Sequence, residues 1–100
     1  MQLTKVQKTI LKNLKKQNPN IQTIVIEGSA VVAWNRVFPT SKMIDVSVSY
    51  FDRSEDDKFR KKTGEYFALD RLCSGQAVQL PLGAETDEDI ADVLLSMFDI

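Results

Sequence analysis

Residues 43–51 alternate apolar and polar side chains more regularly than any other part of the chain. Successive side chains of a strand point to opposite faces, so the alternation places one apolar set and one polar set on the two sides. The apolar set is Ile44, Val46, Val48 and Tyr50, and the polar set is Asp45, Ser47 and Ser49. This pattern predicts a strand of an antiparallel sheet with one buried face and one face in solvent. We expect the polar face to be available to a partner.

Two further runs rich in valine and isoleucine precede this strand, at residues 21–27 and 30–38. Gly28 and Ser29 separate them and predict a tight hairpin turn, with a bulge in one long strand as the alternative. A fourth, shorter run at residues 77–82 contains Pro81, which confines it to the edge of a sheet.

Three segments have helical spacing. Residues 3–17 place apolar side chains three, four and seven positions apart and stop at Asn18-Pro19. Residues 65–73 form a second helix ending near Gly75, and Thr86 with Asp89 forms a capping box for a third. We predict a polar loop from 52 to about 61. The alternative starts the second helix much earlier, at Ser54, and leaves Gly64 inside it at a cost of about 1 kcal/mol.

These elements give the order α-β-β-β-α-β-α. One hundred residues suffice for one domain and not for two, so we assign residues 1–100 to a single small α+β domain. The predicted architecture is an antiparallel sheet of three to four strands with helices packed on one face.

The composition disfavours catalysis. There is no histidine, which excludes imidazole acid–base chemistry, and no glycine-rich phosphate loop. The single cysteine, Cys73, lies near a helix C-terminus, where the dipole does not activate a thiol, so we expect a buried structural residue. The acidic runs at 55–57 and 87–89 suit helix N-termini better than a metal. We therefore expect no enzyme activity, no metal and no cofactor.

The sequence also gives expectations for location. The first residues lack the apolar stretch of a secretory signal, and no apolar run approaches the ~18 residues of a membrane span. A lone cysteine permits no intramolecular disulfide, as is usual in a reducing compartment. We expect a cytoplasmic protein with no membrane association.

Charge is sorted along the chain, although the net charge is only −1. Residues 1–20 hold five positive and no negative side chains, whereas residues 85–100 hold six negative and no positive ones. Either the two terminal helices lie side by side and attract, or they form separate surfaces for a partner or for a homo-oligomer.

A basic segment supplies the main candidate site. Four positive side chains fall within five residues, with one aromatic among them, next to a helix start that favours anions. The alternative is a solvated loop whose charge is balanced by Glu55, Asp56 and Asp57. We add Trp34 and Arg36 to the candidate residues because tryptophan and arginine are frequent at binding hot spots. The alternative for Trp34 is a place in the core. The candidate partner-binding residues are Lys58, Phe59, Arg60, Lys61, Lys62, Arg71, Trp34 and Arg36.

Two resemblances add to this interpretation. The order helix, three strands and a helix preceded by Lys61-Lys62 resembles the double-stranded-RNA-binding domain over residues 3–75, with Gly28-Ser29-Ala30 where that family has a Gly-Pro-x-His loop. The segment Phe59-Arg60-Lys61-Lys62-x-Gly64-Glu65, leading into Ala68-Leu69-x-Arg71-Leu72, is similar to segments of small accessory proteins of bacteriophages and mobile elements. The second resemblance implies a compact protein that binds and blocks a host macromolecule, with no catalytic residues.

The leading expectation is therefore a non-enzymatic interaction protein, of the inhibitor type, that binds a protein partner in the host cytoplasm. The alternatives are an RNA- or DNA-binding module that uses residues 58–62, and a small subunit of a larger assembly.

Overall fold

A computed structural model describes residues 3–26, 28–36, 42–50 and 60–98. It is a compact α+β domain whose elements follow the predicted order. These elements are α1 (Lys5–Gln17), β1 (Gln22–Ile26), β2 (Ala30–Arg36), β3 (Ile44–Tyr50), α2 (Lys61–Cys73), β4 (Val78–Leu80) and α3 (Asp87–Phe98). No helix in these ranges has the length and apolar composition needed to cross a membrane.

The four strands form one antiparallel sheet in the order β1-β2-β3-β4. The β1–β2 connection is a hairpin, as predicted: Gly28 has a φ of 72°, a left-handed conformation that glycine adopts readily, and Ser29 N donates to Ile26 O at 2.9 Å. The strand β4 is short and pairs only with Ile44, Asp45 and Val46 of β3.

Helices lie on both faces of the sheet, and not on one face as predicted. The reason is β2, in which five consecutive residues, Ala30–Trp34, are buried. Val31 and Ala33 pack into one core cluster with α1 and α2, whereas Val32 and Trp34 pack into a second cluster with α3. A strand that is buried on both faces is an uninterrupted apolar run, which is what residues 30–34 are.

The polar face of β3 is covered, which corrects the expectation that it is open to a partner. Ser47 and Ser49 are only 5% and 8% exposed. The Ser47 hydroxyl donates to the carbonyl of Ala68 at 2.5 Å, so α2 lies directly over this face. Small hydroxyl side chains let the helix approach closely, and the hydrogen bond satisfies the buried polar group.

The helix α2 begins at Lys61, four residues before its predicted start, which places Gly64 in its first turn. A Cβ atom at Gly64 would lie 3.0 Å from Cβ of Val31 and closer still to its Cγ2. Glycine is therefore needed where α2 crosses β2. The loop predicted for residues 52–61, and the capping box that was its alternative, lie almost entirely outside the described residues.

Candidate anion-binding surface

The lysines of α1 point outward because Leu11 of this helix, like Leu3 just before it, packs into the core. Leu3 and Leu11 are buried, and Thr4 and Gln7 fix the start of the helix with two reciprocal hydrogen bonds, of 3.1 and 2.9 Å. Five exposed lysines result along a helix about 20 Å long: Lys5, Lys8, Lys12, Lys15 and Lys16.

The first turn of α2 contributes a second group of cations. Arg60, Lys61 and Lys62 are exposed, and the first turn contains no acidic residue. The positive end of the helix dipole lies at the same place, so backbone and side chains favour an anion together.

The two groups meet at a groove of about 270 Å³ between the starts of α1 and α2. Leu3 and Thr63 line it together with four cationic side chains. These four are Lys8, Arg60, Lys61 and Lys62. Four cations that line one groove favour a phosphate group there, because charge-assisted hydrogen bonds to phosphate are stronger than neutral ones.

Among the described residues, this surface carries an excess of positive charge. The residues that form α1, α2 and the preceding Arg60 include nine cationic side chains and two acidic ones, Glu65 and Asp70. Glu65 is already paired with Lys15, at 2.5 Å, an ion pair that ties α1 to α2. A polyanion would therefore meet a surplus of cations on this side of the sheet.

Within the described residues, the acidic side chains of the C-terminal part lie on the opposite side of the sheet. They are Glu85, Asp87, Glu88, Asp89 and Asp92, all exposed. The prediction that the two terminal helices lie side by side is wrong, because α1 and α3 pack into different core clusters on opposite faces. The fold supports the other interpretation of the charge sorting, in which the two terminal helices form separate surfaces.

The other candidate residues do not join the groove. Lys58 and Phe59 lie outside the described residues. Arg71 is nine residues beyond Lys62 on α2, about 14 Å along the helix, and its Nη1 donates to Val48 O at 2.7 Å. Trp34 is 1% exposed and belongs to the core on the α3 side, so the core is its place.

Arg36 holds α3 onto the sheet. Its guanidinium donates to the carbonyl oxygens of Gly83 and Glu85 and, at 2.9 and 3.1 Å, to Oδ1 of Asp87. Gln22 donates to the other oxygen of Asp87 at 2.9 Å. These bonds engage all three guanidinium nitrogens and four of the five N–H donors, which gives Arg36 a structural role.

Cys73 is exposed, which corrects the expectation of a buried thiol. Partial desolvation and the neighbouring Asp70 raise the pKa of this thiol, so it stays protonated at neutral pH and is a poor nucleophile. No group of three or more potential metal ligands occurs within the part of the chain that the structure describes.

Sequence reasoning found the cations of α2 and named the lysine face of the first helix as a source of phosphate contacts, but it did not place Lys8 beside residues 60–62. The signal was present in the charges, since the predicted helix 3–17 has no acidic residue. Its position next to α2 depends on long-range packing, which local patterns do not encode. Comparisons with protein-family models, curated proteins and solved structures find no match to this chain.

Proposed function

We propose that this protein is a non-enzymatic binding protein that holds a nucleic acid by its phosphate backbone on the α1–α2 surface. The observation that supports this most is the groove in which Lys8 meets Arg60, Lys61 and Lys62. The lysines of α1 extend that groove along a helix of about 20 Å, the length of roughly six nucleotides at ~3.4 Å each.

The binding we propose is independent of sequence. Lysine and arginine on phosphates fix position but do not read bases. Double-stranded RNA is the first ligand to test because the order of elements over residues 3–75 resembles the domain that binds it.

The test is a fluorescence anisotropy titration with a labelled RNA duplex of about 20 base pairs, longer than the ~16 that such a domain spans. Affinity should fall steeply with salt. The double variant Lys61→Ala/Lys62→Ala should bind more weakly and reduce the slope of log K against log salt by about 2, roughly one for each phosphate that is no longer neutralised.

The matched control is Lys42→Ala, which removes an exposed lysine that does not line the groove. It should leave affinity and slope nearly unchanged. Equal reductions of affinity in the control and the double variant, or no binding at low salt, would contradict the proposal.

A protein partner is a second candidate, favoured by a different surface. Val78 of β4 and Met97 of α3 are 64% and 58% exposed and line a common groove. Exposed apolar side chains that share a concave surface are typical of protein-binding sites. A protein that binds a partner through this surface would act as the inhibitor expected from the sequence, which binds and blocks a host macromolecule. Capture of one stoichiometric protein from a nuclease-treated lysate, stable to salt and abolished in Val78→Lys, would support it; capture unchanged by that substitution would exclude this surface.

A further inference from the structure

The outer surface of α1 combines apolar and basic side chains. Val6 and Ile10, one helical turn apart, are 69% and 39% exposed although they are apolar. Lys12 and Lys16, also one turn apart, follow them toward the end of the helix and are exposed as well. The helix contains no acidic side chain. A single copy of the chain therefore leaves an apolar pair and a basic pair of α1 in solvent.

The outer surface of α3 carries the complementary pattern in the reverse order. Its acidic pair, Glu88 and Asp92, lies toward the start of the helix, and its apolar pair, Val93 and Met97, lies toward the end. All four side chains are exposed, the valine to 37% and the methionine to 58%. Within the part of the chain that the structure describes, neither carboxylate of the acidic pair forms an ion pair. The helix contains no basic side chain.

The two patterns match when the helices run antiparallel. The members of every pair are four residues apart, so each pair spans about 6 Å along its helix. In an antiparallel arrangement of α1 and α3 from two copies, the apolar pairs meet, with Val6 opposite Met97, and the charged pairs meet, with Lys16 opposite Glu88. A parallel arrangement would place the apolar pair of α1 against the carboxylates of α3.

The positions of the pairs around each helix agree with this arrangement. At 3.6 residues per turn, the charged pair lies about 120° from the apolar pair on α1 and about 140° from it on α3, in the same rotational sense. Two antiparallel helices that face each other require the same sense on both. The apolar pairs and the charged pairs can therefore meet in one contact.

We propose that the outer surface of α1 binds the outer surface of α3 of a second copy of this chain, with the two helices antiparallel. The charges identify the occupant, because the basic pair and the matching acidic pair are both present on this one chain. Burial of the apolar pairs drives the contact, and attraction between the charged pairs fixes its register and orientation.

The contact joins copies head to tail. The helices α1 and α3 pack into core clusters on opposite faces of the sheet, so the two outer surfaces of one copy cannot both engage the same neighbour. Each contact leaves one α1 and one α3 free, and association continues into chains or rings. One pair of short helices makes a small interface, so we expect a dissociation constant of about 0.1–1 mM at low salt.

This inference does not depend on nucleic-acid binding. The groove of the proposed function is lined by Lys8 and by residues 60–62, none of which belongs to the contact between copies. A variant can therefore remove one property and keep the other.

The test is static light scattering of nuclease-treated protein from about 10 µM to about 2 mM, at about 20 mM salt. The mean mass should rise with concentration beyond that of a dimer, and should fall back toward the monomer at about 0.5 M salt. Lys12→Glu/Lys16→Glu should weaken the association by about 10-fold or more. The matched control Lys61→Glu/Lys62→Glu has the same net charge and should associate like the parent protein.

A charge exchange distinguishes lost pairing from lost folding. Glu88→Lys/Asp92→Lys alone should also lose association, because its two outer surfaces are both basic. An equal mixture of this variant with Lys12→Glu/Lys16→Glu should regain association, since every contact between the two variants again joins opposite charges. Circular dichroism confirms that each variant is folded.

Cross-linking tests the orientation of the helices in a Cys73→Ser background. At low salt a Val6→Cys protein should form a disulfide with a Met97→Cys protein, and not with a Glu88→Cys protein. The opposite preference would overturn the antiparallel arrangement.

Three results of the scattering experiment would overturn the contact itself. They are a mass that stays at the monomer up to about 2 mM at low salt, equal association of the two lysine variants, and a mixture of the charge-exchanged variants that stays monomeric. A mass that stops at the dimer would reject the head-to-tail assembly. Self-association that is intact in a protein that fails to bind RNA would reject the proposed function and keep this inference.

Discussion

Replacing Gly64 by alanine tests how closely α2 approaches the sheet. The added Cβ would lie 3.0 Å from Cβ of Val31 and closer to its Cγ2. Val31 is fully buried at the centre of the sheet and β-branched, so it has little freedom to move. We expect overpacking to cost about 1–3 kcal/mol of unfolding free energy.

The higher helix propensity of alanine opposes this steric cost. Alanine is a better helix former than glycine by up to about 1 kcal/mol, and the gain is smaller in a first turn, where helix hydrogen bonds are incomplete. Because the steric cost exceeds this gain, Gly64→Ala should destabilise the protein by about 1–2 kcal/mol.

Urea unfolding measures the change, with the m value serving to show that the two-state transition is preserved. The double variant with Val31→Ala identifies the cause, because the smaller side chain makes room for the new methyl group. The double variant should be more stable than the sum of the single changes by about 1 kcal/mol or more.

The control is Gly75→Ala, at a residue with a φ of 81° and nothing within 4 Å of an added Cβ. This change costs stability through backbone strain and should be additive with Val31→Ala within about 0.5 kcal/mol. A Gly64→Ala protein that is more stable than the parent, or additive with Val31→Ala, would refute the close approach of α2 to Val31.

Three further predictions concern other parts of the molecule. Ser47→Ala should lower the unfolding free energy by about 0.5–1.5 kcal/mol in urea melts, because it removes the hydrogen bond to Ala68, and a change near zero would contradict that bond. Arg36→Gln should lower the unfolding free energy by about 1–3 kcal/mol, mostly because the bonds to backbone carbonyls are removed. Asp87→Asn should lower it by less than about 1 kcal/mol, since the ion pair is half-exposed. If Asp87→Asn cost more than Arg36→Gln, the ion pair would be the main source of the stabilisation. Because its pKa is raised, Cys73 should react with iodoacetamide more slowly than free cysteine at neutral pH. Its rate should still be rising at pH values where the rate of free cysteine has levelled off. Asp70→Asn should speed the reaction, and an unchanged rate would show that Asp70 does not raise the pKa.

Much of the fold was predictable because local signals were strong. The hairpin at Gly28 and the cap at Thr86, whose hydroxyl accepts from Asp89 N at 3.2 Å, both follow from residues close in sequence. The order of the elements follows from the same kind of signal.

The distribution of helices over the two faces was not predicted, for a physical reason. In β3 the serines gave the appearance of a solvent face, whereas small hydroxyls also suit a closely packed helix. The better indicator was β2, whose unbroken apolar run, residues 30–34, requires cover on both sides. The start of α2 was missed because this helix buries mainly Ala68 and Leu69 and has only a weak apolar stripe.

The candidate site was partly predictable. The run of cations at 58–62 is visible in the sequence, and residues 60–62 line the groove. The contribution of Lys8 depends on the packing of α1 against α2, which is set by contacts between distant segments.

The most direct test of the central claim is to map backbone amide shifts on the protein during titration with double-stranded RNA at low salt. The account predicts shifts along α1 and at residues 60–63 that disappear as salt is raised, with α3 unaffected. Shifts centred on α3, or none at all at low salt, would contradict a nucleic-acid-binding role for the α1–α2 surface.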